Sequence, residues 1–485
     1  MENNRRDFLK KASLGAGLLF TGLNGVEAKT FFELMKEDYE MSVEKAKTYK
    51  QKFNMCGYAA PKIPVVRIGY VGIGSRGGGA VTRMLKIKGL EVRALCDIRE
   101  KAVKANNKKL REKGLRPAAE YFGDEYAWKG LCERDDIDLV YIATSWKWHV
   151  PVALYAMECG KHVAIEVPAA QTLEEAWSLV ETSERTKKHC IQLENMVYDF
   201  FETSVLCMAQ SGMLGELVHG EGEYIHDCLK ESFGAPVSDD PQEKQPWRYK
   251  DQLVHGNLYP THGLGPVSQV FGVNRGDRFD YMSSMSTFDF SMGKYAEELS
   301  KKNNYYKKFV GLSYRGNTNS SIIKTVNGKT IVVQHDAASP RPYSRSYIIS
   351  GTKGFAQKYP LPGKLAFGHS FLEKVKTDEL IEKYSPELIK HVKRAAEIVG
   401  GHGGADFVMD WRLIDCLRNG LPMDMDVYDA AAWSSVKPLS IWSCANRSNS
   451  IDFPDFTCGS WKTNKPVDLS LRGGGNTDIA DDLKK

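Results

Sequence analysis

The chain has 485 residues, too many for one compact core and enough for two or three domains. Hydrophobic residues make up 42%, charged residues 26% and aromatics 11%, an ordinary globular composition that excludes disorder, collagen-like repeats and coiled coil. The formal charge is only +5, too small to argue for a nucleic-acid or membrane-surface partner, and no apolar run approaches the length of a bilayer span.

The N-terminus reads as an address. Asn3-Asn4-Arg5-Arg6-Asp7-Phe8-Leu9-Lys10 precedes a modestly apolar stretch, Ala12 to Leu23, and then Val26-Glu27-Ala28. A charged start, a weak apolar segment and small residues at a cleavage point describe an export signal over residues 1–28. The paired arginines followed by Phe8-Leu9-Lys10 resemble the bacterial twin-arginine type. Such a signal sends a folded, cofactor-loaded chain through the twin-arginine export machinery to the periplasm, with no membrane span in the mature protein. The 10 cysteines include no C-x-x-C pair, so we expect them buried as small apolar side chains, with no disulfide framework and no zinc site. Residues 29–62 follow as a helical arm, with Phe31, Leu34, Met35 and Tyr39 on one face.

A dinucleotide-binding domain is expected over residues 63–200. Val65 to Val71 is short and β-branched, bounded by Pro64 and Gly72, and reads as a buried strand. Next comes Gly72-Ile73-Gly74-Ser75-Arg76-Gly77, whose glycines permit the tight turn, the approach of a pyrophosphate and close helix–strand packing. The helix-like segment that follows would attract phosphates to its N-terminus. Glu91 to Cys96 is a second strand ending in Asp97, an acid 20 residues beyond Gly77, where a carboxylate binds the ribose hydroxyls. A carboxylate there repels a 2′-phosphate and favours NAD over NADP, although Arg99 blurs the preference. Strands then alternate with helices: Asp138 to Ala143, His162 to Ile165 and Cys190 to Leu193, with Thr172-Leu173-Glu174-Glu175 opening a helix as a capping box. Ligands sit beyond the carboxyl ends of such strands, so Trp146-Lys147-Trp148-His149, Glu166-Val167 and Asn195 should face the crevice.

Beyond Phe201 the pattern changes. Glu216 to Asp227, Asp280 to Thr287, Ser320 to Val326, Thr330 to His335 and Ser346 to Ser350 read as strands, with Asn327-Gly328 as one turn. The fold class is therefore α/β, a Rossmann domain followed over residues 201–400 by an α+β domain with an open, mostly antiparallel sheet. Residues 401–462 return to helical character, with helices at Asp406 to Leu417 and Val427 to Ser435, and 463–485 read as a loose tail. Tyr224-Ile225-His226-Asp227, Trp247-Arg248, Asn257 to Gly263 and Pro340 to Arg345 bring tyrosine, arginine and histidine from separate loops, as recognition of a sugar requires. His226-Asp227 has no partner spacing for a metal, and none is expected.

These residues resemble the glucose-fructose oxidoreductase and inositol dehydrogenase superfamily and, more narrowly, glycoside hydrolase family 109, the NAD-dependent α-N-acetylgalactosaminidases. The likeness runs from about Arg67 to Trp461 and is carried by Trp146 to His149, Gly160 to Val163, Glu166-Val167-Pro168, Glu194-Asn195, Tyr198 to Glu202, Tyr224 to Asp227, Tyr259 to Pro266, Asn274 to Tyr281, Pro340 to Arg345 and Gly401 to Gly404. It implies NAD contacts at Ser75, Arg76, Asp97, Trp146 to His149, Glu166, Val167 and Asn195. It implies sugar contacts at Tyr224, Arg248, Tyr259, Pro260, Thr261, His262 and Tyr343. The wider superfamily's dehydrogenases carry Glu-Lys-Pro where this chain has Glu166-Val167-Pro168. Valine cannot take a hydroxyl proton, which disfavours an ordinary sugar dehydrogenase.

The implied chemistry moves hydride from C3 of a terminal N-acetylgalactosamine to NAD⁺, removes the acidified C2 proton, expels the aglycone from C1, adds water and returns the hydride. Hydrolysis through NAD is an exception to the paired-carboxylate scheme. His262 and Tyr259 are the candidates for the proton transfers, with acid and base not assigned between them. Two other readings stay open at this stage: a periplasmic NAD(P)-dependent sugar oxidoreductase, and a non-catalytic sugar-binding member. Oligomerisation through the second-domain sheet is also in keeping with the superfamily.

Overall fold

The computed structural model describes residues 25–238, 240 and 242–484. Arg5-Arg6 and the apolar stretch of the export signal lie outside the described residues. The first helix, α1 (Gly25–Thr48), runs through the expected processing point after Ala28. Its later turns are tied down: Asp38 accepts the backbone N–H groups of Leu173 and Glu174 (2.9 and 2.7 Å), and Ser42 accepts the Trp177 indole N–H (2.9 Å). The arm thus supplies carboxylate caps to a helix more than a hundred residues away.

Strands β1 (Val66–Val71), β2 (Leu90–Cys96), β3 (Ala119–Tyr121), β4 (Leu139–Ile142), β5 (His162–Ile165) and β6 (Cys190–Gln192) form a parallel sheet in the order β3-β2-β1-β4-β5-β6. The side chains of the central β1, β4 and β5 and of β6 are buried on both faces but for Arg67, which is why these strands read as near-continuous apolar runs. Helices α2 (Ser75–Met84), α3 (Glu100–Glu112), α4 (Trp128–Cys132), α5 (His149–Glu158) and α6 (Leu173–Thr186) make the crossovers. Strand order reverses between β1 and β4, and this opens a crevice beyond their carboxyl ends.

After α7 (Phe200–Gln210), strands β7 (Leu217–Ile225), β8 (Phe279–Ser286), β9 (Thr318–Thr325), β10 (Thr330–Asp336), β11 (Ser344–Gly351), β12 (Phe355–Gln357), β13 (Lys364–Ala366) and β14 (Ile451–Asp452) form an eight-stranded sheet. Its order is β13-β12-β11-β7-β10-β9-β8-β14, and every pair is antiparallel except β7 with β10. The five strands read from sequence lie within two residues of the observed bounds, whereas the short β12, β13 and β14 carry too few residues for a periodic signal. Helix α8 (Arg248–Asp251) and α9 (Thr261–Val270) belong to this domain. Helix α9 lies directly on β7: a Cβ on Gly222 would meet Gly263 O at 2.2 Å, so two glycines are needed for the contact. Helix α10 (Met292–Lys302) joins Phe233, Tyr306, Phe309 and Tyr314 in a separate small core.

Helices α11 (Lys374–Lys383), α12 (Glu387–Val399), α13 (Ala405–Asn419) and α14 (Val427–Ala445) close the chain back onto the first domain. Helix α13 packs on α2, and α14 packs on both α6 and β8, between the two sheets. The tail differs from the loose segment its polar composition suggests. Thr477 O accepts the Trp411 indole N–H (2.9 Å), Asp415 accepts Gly475 N–H (2.9 Å), and Asp478 and Ala480 bond to Lys88 and Lys86 backbone (2.8 Å each). Backbone pairing of this kind needs no apolar side chains and leaves no mark on composition. All 10 cysteines are unpaired, and no described helix is long and apolar enough to cross a membrane.

Candidate active site

The turn after β1 is built as a cradle. Gly72 has φ +82°, and a Cβ there would lie 2.6 Å from Thr144 N; a Cβ on Gly77 would lie 2.0 Å from Gly72 O. Asp97, at the end of β2, accepts the Ile73 N–H (3.0 Å) with one oxygen and the Arg99 N–H and Nε (3.0 Å each) with the other. The expected ribose-binding acid is therefore also a strut of the glycine turn. A Cβ on Gly74 would meet Arg99 Nη2 at 3.0 Å, so the guanidinium borders the same turn. Ser75 begins α2, whose free N–H groups face this space. Asn195 Oδ1 and Thr144 Oγ1 are buried without a hydrogen-bond partner among the described residues. A turn that side chains would fill, a helix N-terminus, an acid and orphaned polar atoms fit a dinucleotide.

Arg76 is half-buried and clamped by carboxylates. Its Nε donates to Glu166 Oε1 (2.6 Å), and Nη1 and Nη2 donate to the two oxygens of Asp406 (3.0 Å each). Tyr141 Oη also donates to Glu166 (3.3 Å), and Asn195 Nδ2 donates to Asp406 (2.6 Å). Burial alone would push the Asp406 carboxyl up, but the His402 hydrogen bond and the Arg76 and Arg83 guanidinium groups hold it far below the usual carboxylate range. Asp406, from α13, thus fixes two residues assigned from sequence to cofactor binding, Arg76 and Asn195.

The run after β4 divides. Trp146 stacks on Tyr259 (5.7 Å, 15°) and meets Trp247 edge-on (5.3 Å), so its ring lies between the two domains. Lys147 instead reaches Glu125 (2.8 Å), and Trp148 packs against Tyr126 and Trp128. His149 is buried with Nδ1 2.8 Å from Pro168 O and Nε2 3.2 Å from Thr144 O, and burial lowers its pKa. Lys147 and Trp148 depart from the expectation that the whole run faces the crevice, because a 3₁₀ turn over Trp146–Trp148 sends consecutive residues in different directions, whereas His149 stays beside Thr144 at the cradle. Val167 is buried beside Glu166 and presents only apolar surface.

The sugar-side candidates meet at the end of β7. Tyr224 touches the rings of Tyr259 (5.0 Å) and His262 (5.6 Å), and its hydroxyl lies 2.9 Å from His226 Nδ1. Pro260 caps α9, placing buried Thr261 and His262 in its first turn. Tyr343 is half-exposed against His226 (5.2 Å), and Arg248 is exposed and stacked over Trp247 (5.0 Å). Burial pushes Tyr259 and Tyr224 above the usual phenol range and Tyr343 up to about 12, so all three are neutral O–H donors near pH 7.

Two histidine–carboxylate pairs complete the site. His262 Nδ1 lies 2.7 Å from Glu194 Oε1. Burial would raise the Glu194 carboxyl, yet the His262 charge and hydrogen bond and the Met196 N–H bring it below its usual value. Opposite, His402 Nδ1 lies 2.9 Å from Asp406 Oδ2, and the two imidazoles are 6.3 Å apart. In each pair Nδ1–H donates to an ionised carboxylate and leaves Nε2 for a reacting group.

The profile of the family described as "Glycosyl hydrolase 109, C-terminal domain" matches residues 198–463, and that of "Oxidoreductase family, NAD-binding Rossmann fold" matches 66–193. A "Glycosyl hydrolase family 109 protein 1" of Bacteroides fragilis is 45% identical over 425 residues, 84% of this chain and 89% of the relative. A family 109 protein of Shewanella pealeana is 41% identical over 482 residues, 97% of this chain and 99% of its own. The chain belongs to glycosyl hydrolase family 109. Among solved structures, levoglucosan dehydrogenase in complex with NADH and L-sorbose superposes with a TM-score of 0.58 at 16% identity, over 81% of this chain and 100% of that one. An Agrobacterium radiobacter oxidoreductase in complex with NAD⁺, L-tartaric acid and magnesium gives 0.56 at 16%, over 80% and 98%.

This family 109 enzyme is thus a glycoside hydrolase with an NAD-binding Rossmann domain. Sequence reasoning left three of its site residues unassigned: Glu194, His402 and Asp406. The available signal for His402 was its setting, Gly400-Gly401-His402-Gly403-Gly404. All five residues have positive φ (75, 82, 48, 69 and 100°), a path that only a glycine-rich segment follows readily. A Cβ on Gly401 would lie 2.6 Å from Asp406 Oδ2, so the glycine also makes room for the second pair.

Proposed function

We propose that this enzyme releases terminal α-linked N-acetylgalactosamine from glycans by NAD-dependent oxidation at C3, elimination, water addition and re-reduction. The observation that carries the reading is the pair of imidazoles 6.3 Å apart beside a dinucleotide cradle. Oxidising a hydroxyl needs one proton acceptor; breaking C1–O by elimination needs a base at C2 and an acid at the leaving oxygen. Two proton-handling groups and an apolar Val167 suit the second chemistry.

Bound NAD⁺ would supply a reversible hydride acceptor for C3, while the C3 hydroxyl proton leaves through His262 Nε2 to water before that nitrogen takes the C2 proton, and comes back with the hydride. A ketone there acidifies the C2 proton, because the charge left behind spreads onto oxygen. His262, whose side chain is only 10% exposed, faces the sugar with Nε2 free while Glu194 holds its ring through Nδ1. His402, 45% exposed, faces the open side, where the aglycone oxygen takes a proton and water later gives one up. Tyr224, Tyr259 and Tyr343 donate hydrogen bonds to sugar oxygens, and Arg248 borders the entrance. The C2 proton lost in elimination is regained when water adds across C1 and C2, and the returned hydride leaves hydrolysis as the net reaction. Export by the twin-arginine machinery to the periplasm belongs to the same reading, since a regenerated cofactor needs no soluble NAD pool.

The test is incubation of purified enzyme with a chromogenic α-N-acetylgalactosaminide while NADH absorbance is followed. Aglycone release without net NADH is expected. Stoichiometric NADH without aglycone would instead identify a sugar oxidoreductase, and binding with neither would identify a non-catalytic sugar-binding protein.

A further inference from the structure

We infer that residues 242–248 form a strap across the NAD cleft and that Gln242 is the latch that sets how fast the dinucleotide leaves. The inference rests on NAD lying in the cradle described above and deepens the reading that it stays there through turnover.

Gln242 belongs to the sugar-side domain, yet its amide is bonded to the cofactor domain at two points. Nε2 donates to Ile98 O (2.7 Å), and Oε1 accepts the Glu100 N–H (2.9 Å). Those groups flank Arg99, which grips the Asp97 carboxylate. Glu100 is the first residue of α3, and the N-cap position, Arg99, makes no side-chain capping bond. Gln242 therefore supplies from a distant loop the acceptor that α3 lacks locally.

Farther along, the same segment is fastened again. Trp247 meets Trp146, just beyond β4, at 5.3 Å, and Asp251 lies 3.8 Å from Lys437 Nζ of α14. The anchors thus stand beyond β2 and beyond β4, and the sheet order places β1 with its glycine turn between them. Two strand spacings are about 10 Å, and five residues of chain reach about 17 Å, so the segment crosses this gap with slack. A chain tied on both sides of the glycine turn covers the place where a pyrophosphate sits. Both Gln242 bonds are solvent-exposed, so water can replace them and let the strap open.

The experiment loads purified protein with radiolabelled NAD⁺, adds excess unlabelled NAD⁺ and follows label retained on the protein, without any glycoside. Gln242→Ala should release label about tenfold faster than wild type. Gln242→Glu keeps the acceptor for Glu100 N–H and loses the donor to Ile98 O, so its rate should lie between the two. Equal release rates for all three proteins would overturn the latch. Absent glycosidase activity would count against the proposed reaction alone, since the release rate is read without substrate.

Discussion

The imidazoles of His262 and His402 stand 6.3 Å apart, each hydrogen-bonded through Nδ1 to a carboxylate behind it. Their exposures differ, and unequal access assigns the buried ring to the sugar and the exposed ring to leaving group and water. His262→Ala should lower turnover by roughly 10³-fold or more, and Glu194→Gln, which removes the carboxylate that holds the ring through Nδ1, by about 10²-fold. NAD should remain bound in both, as read by its absorbance in the purified protein. Full activity of His262→Ala would refute its role.

Removing His402 should act on a different step. His402→Ala should slow release of a poorly departing sugar alcohol about 10²-fold, and release of p-nitrophenol much less, because a good leaving group needs no acid. In heavy water, recovered substrate should still gain deuterium at C2 with His402→Ala and should not with His262→Ala. Equal slowing of both glycosides, with no exchange in either variant, would remove the distinction between the rings.

The sequence carries the fold where periodicity is local: β1, the glycine turn and Asp97 are contiguous or nearly so, and their spacing has one reading. The same holds for Tyr259 to His262, which sit together in the first turn of α9. Arg76 shows the limit. Its partner Asp406 lies 330 residues away, so no local pattern separates an arginine aimed at a ligand from one clamped by a later helix. Lys147 and Trp148 sit beside Trp146 in sequence, but the 3₁₀ turn sends them elsewhere. Gln242 was invisible for the same reason as Asp406: its meaning depends on a contact 142 residues away.

Asp97 links the adenosine end to the glycine turn through Ile73 N–H. Asp97→Ala should remove the ribose acceptor, loosen the turn and free Arg99, which then offers an unopposed cation to a 2′-phosphate. Equilibrium binding to refilled apo-protein should show NAD⁺ weakened at least tenfold and the NAD⁺/NADP⁺ ratio shifted toward NADP⁺. An unchanged ratio would show that Asp97 serves the turn alone.

Glu175 offers a test of the interior away from the chemistry. Its carboxylate accepts the Gln171 N–H (2.7 Å). Burial, with Asp38 nearby, pushes the carboxyl up to about 7, against the opposing pull of Lys437 and of hydrogen bonds from Gln171 and Thr172. In the unfolded chain the same group titrates near 4.3, so the folded state binds the extra proton between those values. Its stabilising contribution is complete below about pH 4 and is lost as pH rises through about 7. Glu175→Gln keeps the shape and removes the titration. Relative to this variant, wild type should lose on the order of 3 kcal/mol of unfolding free energy between pH 4 and pH 8. Denaturant unfolding of both proteins across that range measures the difference, and parallel curves would place the Glu175 proton elsewhere.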